Sequence, residues 1–439
     1  MRLEIFQSSH GDCLLLESND GKRILCDGGM KSSMLGFVAP ALDALRQAEP
    51  QRPIDVVYVS HIDADHIGGI LQLLEDEVEW RVFDHHHAEG DDFDPPDRPR
   101  PPRIGNIWHN AFRDLVDENA GPIEDLLAAA APVLHATQSQ PGIATAFEMQ
   151  QISLGVDQAL RVSKLVAPEV LGIPLNTLPG VDGPASLLMV RDGQGTFRLG
   201  DLEIAIVGPT QAELEKLREG WNNWLDRSPE AIRRINSEIR RHIDEFAQGT
   251  GSRPISLFPW EGVPGFRGVT VPNLASLVLL VREGDTSLLL TGDAQHDILL
   301  DQLRAASQLV AGHLHLTALK VQHHGSEKNM SPEFARTVSA DHYIFCGNGQ
   351  NGNPEVDVIQ QIFDSRTSGD PAVRALAPET HDDRPFHFWF STSSATPAEG
   401  TAARANFRRA EELAANLKEE SNGRLKTHFS KKPSITLAL

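Results

Sequence analysis

The sequence predicts an α/β protein, and three observations support this class. Short apolar runs rich in β-branched residues alternate with segments of helical spacing over most of the 439 residues. Residues 54–60 read IDVVYVS, the near-continuous apolar pattern of a strand buried on both faces. Several such strands end in Asp or His, and loops at strand ends commonly carry function. The length allows two or three domains, or one large domain with insertions.

The first 80 residues alternate strands with turns and helices. A hairpin turn at residues 18–21 separates two short strands, because its Asn-Asp-Gly run supplies the backbone angles of a tight turn. An apolar pattern of helical spacing follows the buried strand. The predicted strands are residues 2–6, 13–17, 23–26 and 54–60, and the predicted helices are residues 39–48 and 67–74.

The rest of the chain predicts more sheet, interrupted by two helical insertions. Residues 81–184 and 211–270 change in character to Pro-rich loops and charged helical segments, so we interpret them as insertions over the sheet. The predicted strands of this part are residues 185–190, 202–207, 276–282, 287–290, 318–322 and 343–346.

We therefore expect one main domain at residues 1–395, with its core formed by residues 1–80 and 185–395. The remaining residues, 396–439, are expected to pack on that core. They predict a helix at 401–421 and a last strand at 435–439.

The charge balance limits the class of partner. The chain carries 40 Lys+Arg against 61 Asp+Glu, a formal net charge of −21 at neutral pH. Sequence-blind DNA binding depends on neutralising phosphates with Lys and Arg, so this acidity disfavours long contacts with a duplex. A small anionic substrate at a metal site stays compatible with it, because the charge of the ion dominates locally.

Cysteine use and hydropathy predict a cytoplasmic protein. The three cysteines, Cys13, Cys26 and Cys346, form no CxxC pair and are too few for a disulfide framework. The amino terminus lacks the apolar core of a signal peptide. The longest apolar stretches, such as residues 274–281, are about a third of a membrane span. We therefore expect no membrane partner, and the sequence leaves protein partners unknown.

Residues 61–66 carry the strongest chemical signal. Four side chains able to bind a metal fall within six residues directly after the buried strand, namely His61, Asp63, Asp65 and His66. Alternate residues of an extended segment point the same way, so His61, Asp63 and Asp65 can face one site. Imidazole and carboxylate ligands suit Zn²⁺, and the carboxylates also admit Mn²⁺ or Fe²⁺. The alternative is an ordinary helix start capped by Asp65.

These motifs resemble those of the metallo-β-lactamase-fold hydrolases. HIDADHIGG at 61–69 is similar to their HxHxDH signature, with Asp63 where most members have the second histidine. CDGG at 26–29, LLLTGD at 288–293 and HHGS at 323–326 resemble the other motifs, in the family's order. The pair Gly11-Asp12 is a further feature of the ComEC-type branch, which comprises the hydrolase domain of the competence DNA-uptake channel and its stand-alone soluble relatives. The resemblance implies a four-layer αββα sandwich with helical insertions.

The resemblance also implies a role for each motif residue. One or two Zn²⁺ ions, with Mn²⁺ or Fe²⁺ as alternatives, would be held by His61, Asp63, Asp65, His66, Asp293 and His324. Asp293 would bridge the ions, Asp65 would orient the attacking water, and Asp27 would support the ligand loops. His323 and Lys328 are candidates for contacting a phosphate or protonating a leaving group. A solvated loop lysine is the alternative for Lys328.

One histidine of the family pattern is absent. Most members have a histidine shortly before the strand that ends in LLLTGD, and residues 270–276 contain none. Asn273 or Ser276 then stands in its place, as the ComEC-type branch also shows. The first ion site would keep only His61, Asp63 and Asp293.

The HHGS motif offers two histidines for one expected ligand position. The family's phosphodiesterases often read His-x-Ser there, which favours His324. Neighbouring residues at a strand end face opposite sides, so His323 is expected to face away from its neighbour.

The implied activity is metal-dependent hydrolysis. The ComEC-type resemblance favours a phosphoester or phosphodiester bond in a nucleotide or a nucleic acid, with a short contact centred on the metal. The alternatives are a hydrolase of a small lactone, thioester or amide, and a non-catalytic or partner-dependent effector subunit.

Three other signals receive a structural interpretation. His85-His-His87 cannot converge on one ion if extended, so it is interpreted as a loop or surface tract. Trp221 and Trp224 are interpreted as the core of an insertion. The arginines at 233, 234, 240 and 241 are interpreted as a solvated helix face, with an anion guide near the active site as the alternative.

Overall fold

The computed structural model describes residues 1–110, 158–159, 161–181, 183, 187–191, 195–215, 276–381 and 383–439. Asn273, most of the second expected insertion, and the tryptophans and arginines between 221 and 241 lie outside the described residues. No helix of the described part is long and apolar enough to span a membrane.

Two facing sheets form the centre of the protein. Within the described residues, one has six strands in the order β14-β1-β2-β3-β4-β5, and the other has eight in the order β13-β12-β11-β10-β9-β8-β7-β6. The strands are β1 (Arg2–Phe6), β2 (Leu14–Glu17), β3 (Arg23–Cys26), β4 (Val56–Tyr58), β5 (Ile107–Trp108), β6 (Phe197–Leu199), β7 (Leu202–Gly208), β8 (Val278–Glu283), β9 (Thr286–Leu290), β10 (Leu314–Lys320), β11 (Val338–Phe345), β12 (Phe386–Phe390), β13 (Leu425–Phe429) and β14 (Ser434–Ala438).

Each sheet is partly antiparallel and partly parallel. In the first, β14 to β3 are antiparallel neighbours, whereas β3, β4 and β5 run parallel. In the second, β6 to β9 are antiparallel and β9 to β13 are parallel. Parallel neighbours end at the same edge of a sheet, so the residues that follow β3 and β4 lie close together, as do those that follow β9 and β10.

Helices cover the outer faces of both sheets. They are α1 (Lys31–Ser33), the π-helical turn Met34–Val38, α2 (Ala39–Ala48), α3 (Ala64–Glu89), α4 (His296–Ala305), α5 (Pro332–Thr337), α6 (Val356–Thr367) and α7 (Ala402–Glu420). Short 3-10 turns lie at Gln322–Gly325, Glu327–Asn329, Gln350–Gly352 and Pro378–Thr380.

Three apolar clusters hold the layers together. The first packs α2 and α3 against the first sheet, as with Leu42 and Ile70. The second lies between the sheets and contains Tyr58 and Leu279. The third packs the later helices, including Phe407 of α7, against the second sheet. Helix, sheet, sheet and helix layers make the four-layer αββα sandwich that the sequence motifs implied.

The helix after the 61–66 cluster is much longer than predicted. Its first half buries Ile67, Ile70 and Leu74 in the core, as the spacing indicates, but α3 continues to Glu89. The residues of its second half are mostly charged or polar and exposed. This half of the helix therefore lacks the repeating apolar residues by which a helix is recognised in sequence. The His85–His87 tract therefore lies in the last turns of α3 and not in a loop, and the exposure of His85 and His87 confirms its surface position.

Three other predictions about the sheets need correction. The range 81–184 is not only a helical insertion, because β5 pairs with β4 at the edge of the first sheet. The described part of the predicted strand 185–190 forms a single bridge, between Val190 and Thr210, and no ladder. The strands β6, β12 and β13 were not predicted, and in β13 the exposed face carries Lys426 while the buried face is short.

Candidate metal centre

The side chains predicted to bind metal converge where strands of the two sheets end. Asp27 follows β3, and residues 61–66 follow β4 and include the first turn of α3. Asp293 follows β9, and the two histidines of HHGS follow β10. Tertiary packing of the sheets brings these four segments together over long distances in sequence.

The start of α3 leaves the carboxylates of the cluster free to face the centre. Asp63 is the N-cap residue, yet among the described residues its side chain makes no cap bond and instead lies 3.5 Å from His61 Nε2. Asp65 sits in the first turn, 3.3 Å from His324 Nε2 and 3.9 Å from His66 Nε2. The alternative of a purely local helix cap is therefore wrong.

Asp293 is the hub of the centre. Its Oδ2 lies 3.6 Å from His61 Nε2, 3.4 Å from His323 Nε2 and 3.6 Å from His324 Nε2, and its Oδ1 lies 3.4 Å from His66 Nε2. Two ligand atoms that each lie about 2.0–2.2 Å from one tetrahedral ion are separated from each other by roughly 3.4 Å. The spacing thus fits metal ions placed against Asp293.

The far side of each ligand ring is held by a hydrogen bond. His66 Nδ1 donates to Asp27 Oδ2 at 3.0 Å, and His324 Nδ1 donates to Asp12 Oδ1 at 2.8 Å. Ser60 Oγ donates to Asp27, so it accepts from His61 Nδ1 at 3.0 Å. A proton on Nδ1 leaves the lone pair on Nε2, which is the tautomer a metal-binding histidine needs.

The Nε2 atoms support the same conclusion. Those of His61, His66 and His324 are buried and have no hydrogen-bond partner among the described residues. Buried polar atoms are nearly always satisfied, so three such nitrogens around one carboxylate fit the coordination of a cation.

Asp27 links the loop after β3 to the segment that carries His61 and His66. It accepts hydrogen bonds from the Ser60 backbone and hydroxyl, both at 2.7 Å, and from His66. Two glycines let its loop approach α3: a Cβ on Gly28 would lie 2.4 Å from Ile70 N, and one on Gly69 would lie 2.0 Å from Gly28 O. This close packing explains one glycine in each motif, Gly28 and Gly69.

Two buried residues of the centre were not predicted. Asp12, from the turn between β1 and β2, and Lys320, the last residue of β10, form a buried ion pair. Lys320 Nζ also donates to Gly292 O at 2.9 Å and lies 3.7 Å from Asp293 Oδ1. In the sequence, the Gly11-Asp12 pair was noted only as a family feature. Lys320 was assigned only to the predicted strand 318–322, with no role in the centre.

Asp12 lies close enough to be counted among the ligands. One ligand atom from each of Asp12, His66, Asp293 and His324 lies within 4.8 Å of the others. However, Asp12 Oδ1 accepts from His324 and Oδ2 faces Lys320. We therefore interpret Asp12 as the group that orients His324, and Asp65 as the ligand carboxylate beside it.

The charges of the centre shift pKa values in opposite directions. Burial alone raises the pKa of a carboxyl, yet the neighbouring imidazoles hold the pKa of Asp293 and of Asp65 well below its usual range. Burial alone lowers the pKa of an imidazole, yet Asp293 and Asp12 raise the pKa of His324 to about 9. The ionised carboxylates make positive charge favourable at the centre. A bound metal ion would supply that charge in place of the protons on the rings.

His323 does not face away from its neighbour, so that prediction is wrong. His323 and His324 both adopt left-handed backbone angles, with φ of 45° and 56°, instead of extended ones. Opposite faces are a property of extended chain only. The turn therefore directs both rings to Asp293.

The other predicted residues lie at or beyond the margin. Ser276 Oγ accepts a hydrogen bond from the Asp293 backbone N–H at 3.4 Å, so it supports the loop that carries Asp293. Lys328 is exposed, on the 3-10 turn next to Asn329. His86 lies 21 residues along α3 from Asp65, about 30 Å away at 1.5 Å per residue, so its tract takes no part in the centre.

Residues 9–137 match the family model of the metallo-beta-lactamase superfamily. The match contains Asp12, Asp27 and the 61–66 cluster, and the sandwich described above is the fold of that superfamily. Superfamily members are mostly metal-dependent hydrolases, and the chemistry of the centre fits divalent ions such as zinc. Among proteins with curated descriptions, none matches the chain.

Proposed function

We propose that the protein is a metal-dependent hydrolase that cleaves a phosphoester or phosphodiester bond, as a relative of the ComEC-type branch. The observation that carries the proposal is the convergence of four imidazole Nε2 atoms on Asp293, each within 3.4–3.6 Å of one of its oxygens. Superfamily membership of residues 9–137 supports hydrolysis. The ComEC-like motifs support the phosphate-bearing substrate.

The ligand set is richer in carboxylates than the common family pattern. Asp63 replaces a histidine, and with Asp65 and Asp293 it brings three carboxylates to the centre. Harder oxygen ligands favour Mn²⁺ relative to an all-histidine site, while the imidazoles keep Zn²⁺ suitable. When bound, such ions lower the pKa of water to near neutrality and polarise the scissile bond.

The chain's own residues divide the remaining work. Asp65 stays ionised, because His66 and His324 hold its pKa low against the effect of burial. It can therefore orient a nucleophilic water by accepting its hydrogen bond. Lys328 is exposed on the 3-10 turn that also carries Asn329, and it is the residue we assign to contact with substrate phosphate.

The charge of the chain favours a small substrate. The one lysine buried in the described centre, Lys320, is already paired with Asp12 and faces Asp293. The net charge of −21 then disfavours long contacts with a polyanion. A nucleotide, or a short end of a nucleic acid, fits this setting better than a duplex.

A substrate screen tests the proposal. Protein freed of metal by chelation is reloaded with Mn²⁺ or Zn²⁺ and given bis-p-nitrophenyl phosphate, cyclic nucleotides, DNA and RNA, and a lactone and thioester set. We expect turnover on a phosphodiester, its loss in Asp293→Asn, and normal turnover in His85→Ala, a matched histidine far from the centre. Turnover on the lactones or thioesters alone would overturn the substrate class. Bound metal with no turnover on any substrate would favour a non-catalytic role.

A further inference from the structure

We infer that His323 is a metal ligand and completes the first ion site. This rests on the proposed metal-dependent function. Most superfamily members have a histidine shortly before the strand that ends in LLLTGD, and this sequence lacks it. The first ion site is then left with His61, Asp63 and Asp293. The structure places another imidazole, that of His323, against the same Asp293 oxygen that His61 Nε2 faces. The two adjacent histidines of HHGS then bind different ions.

Backbone geometry aims both rings at the same carboxylate. The Nε2 atoms of His323 and His324 lie 3.4 and 3.6 Å from Asp293 Oδ2, while their rings are 5.5 Å apart and almost perpendicular. Two successive left-handed residues make this arrangement, and non-glycine residues adopt that conformation rarely. The turn is held by a bond from His323 N to Gly292 O at 3.2 Å.

A hydrogen-bond chain sets the tautomer of His323. Asn329 Nδ2 donates to the backbone carbonyls of Asp293, at 2.9 Å, and of Ala294, at 3.4 Å. The amide orientation is fixed by these two acceptors, so Asn329 Oδ1 must accept from His323 Nδ1, at 2.9 Å. The lone pair of His323 is thus on Nε2, facing Asp293, as for the three other rings.

The spacing of the first site matches that of the second. Three separations define the first: His323 to Asp293 at 3.4 Å, His61 to Asp293 at 3.6 Å, and His61 to Asp63 at 3.5 Å. In the second site, Asp65 and Asp293 lie 3.3 and 3.6 Å from His324. Each of these nitrogen–oxygen pairs therefore lies at a separation that two ligands of one ion show.

The two sites differ in exposure. The side chain of His323 is 31% exposed, whereas that of His324 is 3% exposed. The first site is thus the one with the most exposed ligand side chain. We expect its ion to exchange faster and to bind more weakly than the ion of the second site.

Metal counting tests the assignment without any substrate. Chelator-treated protein is dialysed against Co²⁺ or Zn²⁺, and the bound metal is measured by elemental analysis, with the Co²⁺ absorption spectrum as a second readout. We expect two ions in the wild type, one in His323→Ala, and two in His85→Ala. His323→Gln, with circular dichroism to verify folding, repeats the test with a side chain of similar size.

The outcomes separate this inference from the proposed function. Two ions in both folded His323 variants would overturn the inference and return His323 to a proton-transfer role. One ion in the wild type would also overturn it, while a hydrolase with a single ion would remain. A wild type that binds no metal would overturn both.

Discussion

Replacing Lys320 by Met removes the one ammonium group buried in the described centre. Lys320 is 1% exposed, pairs with Asp12 and lies 3.7 Å from Asp293 Oδ1. At an effective dielectric constant of about 20, the attraction to Asp293 alone is about 4.5 kcal/mol. Desolvation of the ammonium offsets part of this, and breaking a buried pair costs about 3–5 kcal/mol in practice. We expect Lys320→Met to lower the free energy of unfolding by that amount.

Urea unfolding of chelator-treated protein measures the effect, because a bound cation would mask it. The double variant Asp12→Asn/Lys320→Met neutralises both partners, and its Asn can still accept from His324, so we expect it to recover much of the loss. Lys431→Met, an exposed lysine, is the control and should change stability by less than about 0.5 kcal/mol. A loss below about 1 kcal/mol in Lys320→Met would refute the reasoning. So would a double variant no more stable than the single one.

Three further predictions concern the surroundings of the centre. Asp27→Asn should weaken metal binding about 10–100-fold in a chelator competition, because Asp27 orients a ligand ring. Burial lowers the pKa of His109 from 6.5 to about 4. Between pH 6.5 and 4 the His109 imidazole is therefore protonated in the unfolded state but stays neutral in the folded state. Stability should therefore fall by up to about 3 kcal/mol between pH 6.5 and 4, and His109→Gln should lack that part of the fall in urea titrations at each pH. Gly69→Ala should destabilise by more than about 2 kcal/mol, because its Cβ would meet a backbone oxygen, whereas Gly36→Ala has open space and should raise the melting temperature slightly.

Sequence patterns predicted the parts of the structure that local chemistry determines. The buried strand, the carboxylates and imidazoles after it, and Asp293 after β9 are local motifs, and each lies where the spacing indicated. The sandwich followed from the order of those motifs. Strand ends of facing sheets then brought the motif residues together.

The residues that were missed depend on contacts between distant segments. Asp12 acts on His324, 312 positions away, and Lys320 acts through Asp12 and Asp293. No local pattern marks a turn residue as the partner of either. The predicted direction of the His323 side chain was wrong for a related reason. Its left-handed backbone angles are stabilised by tertiary contacts with Gly292 and Asn329, which no local pattern indicates.

The central claim is that Asp293 holds metal ions between the histidines of the two sheets. An anomalous-scattering map from crystals soaked in Zn²⁺ or Mn²⁺ tests it most directly, with data on both sides of the absorption edge. We expect a peak about 2.0–2.3 Å from Nε2 of His66 and of His324 and from a carboxylate oxygen of Asp293. No peak at the centre, with metal in the solution, would contradict the account. So would a peak bound to other side chains alone.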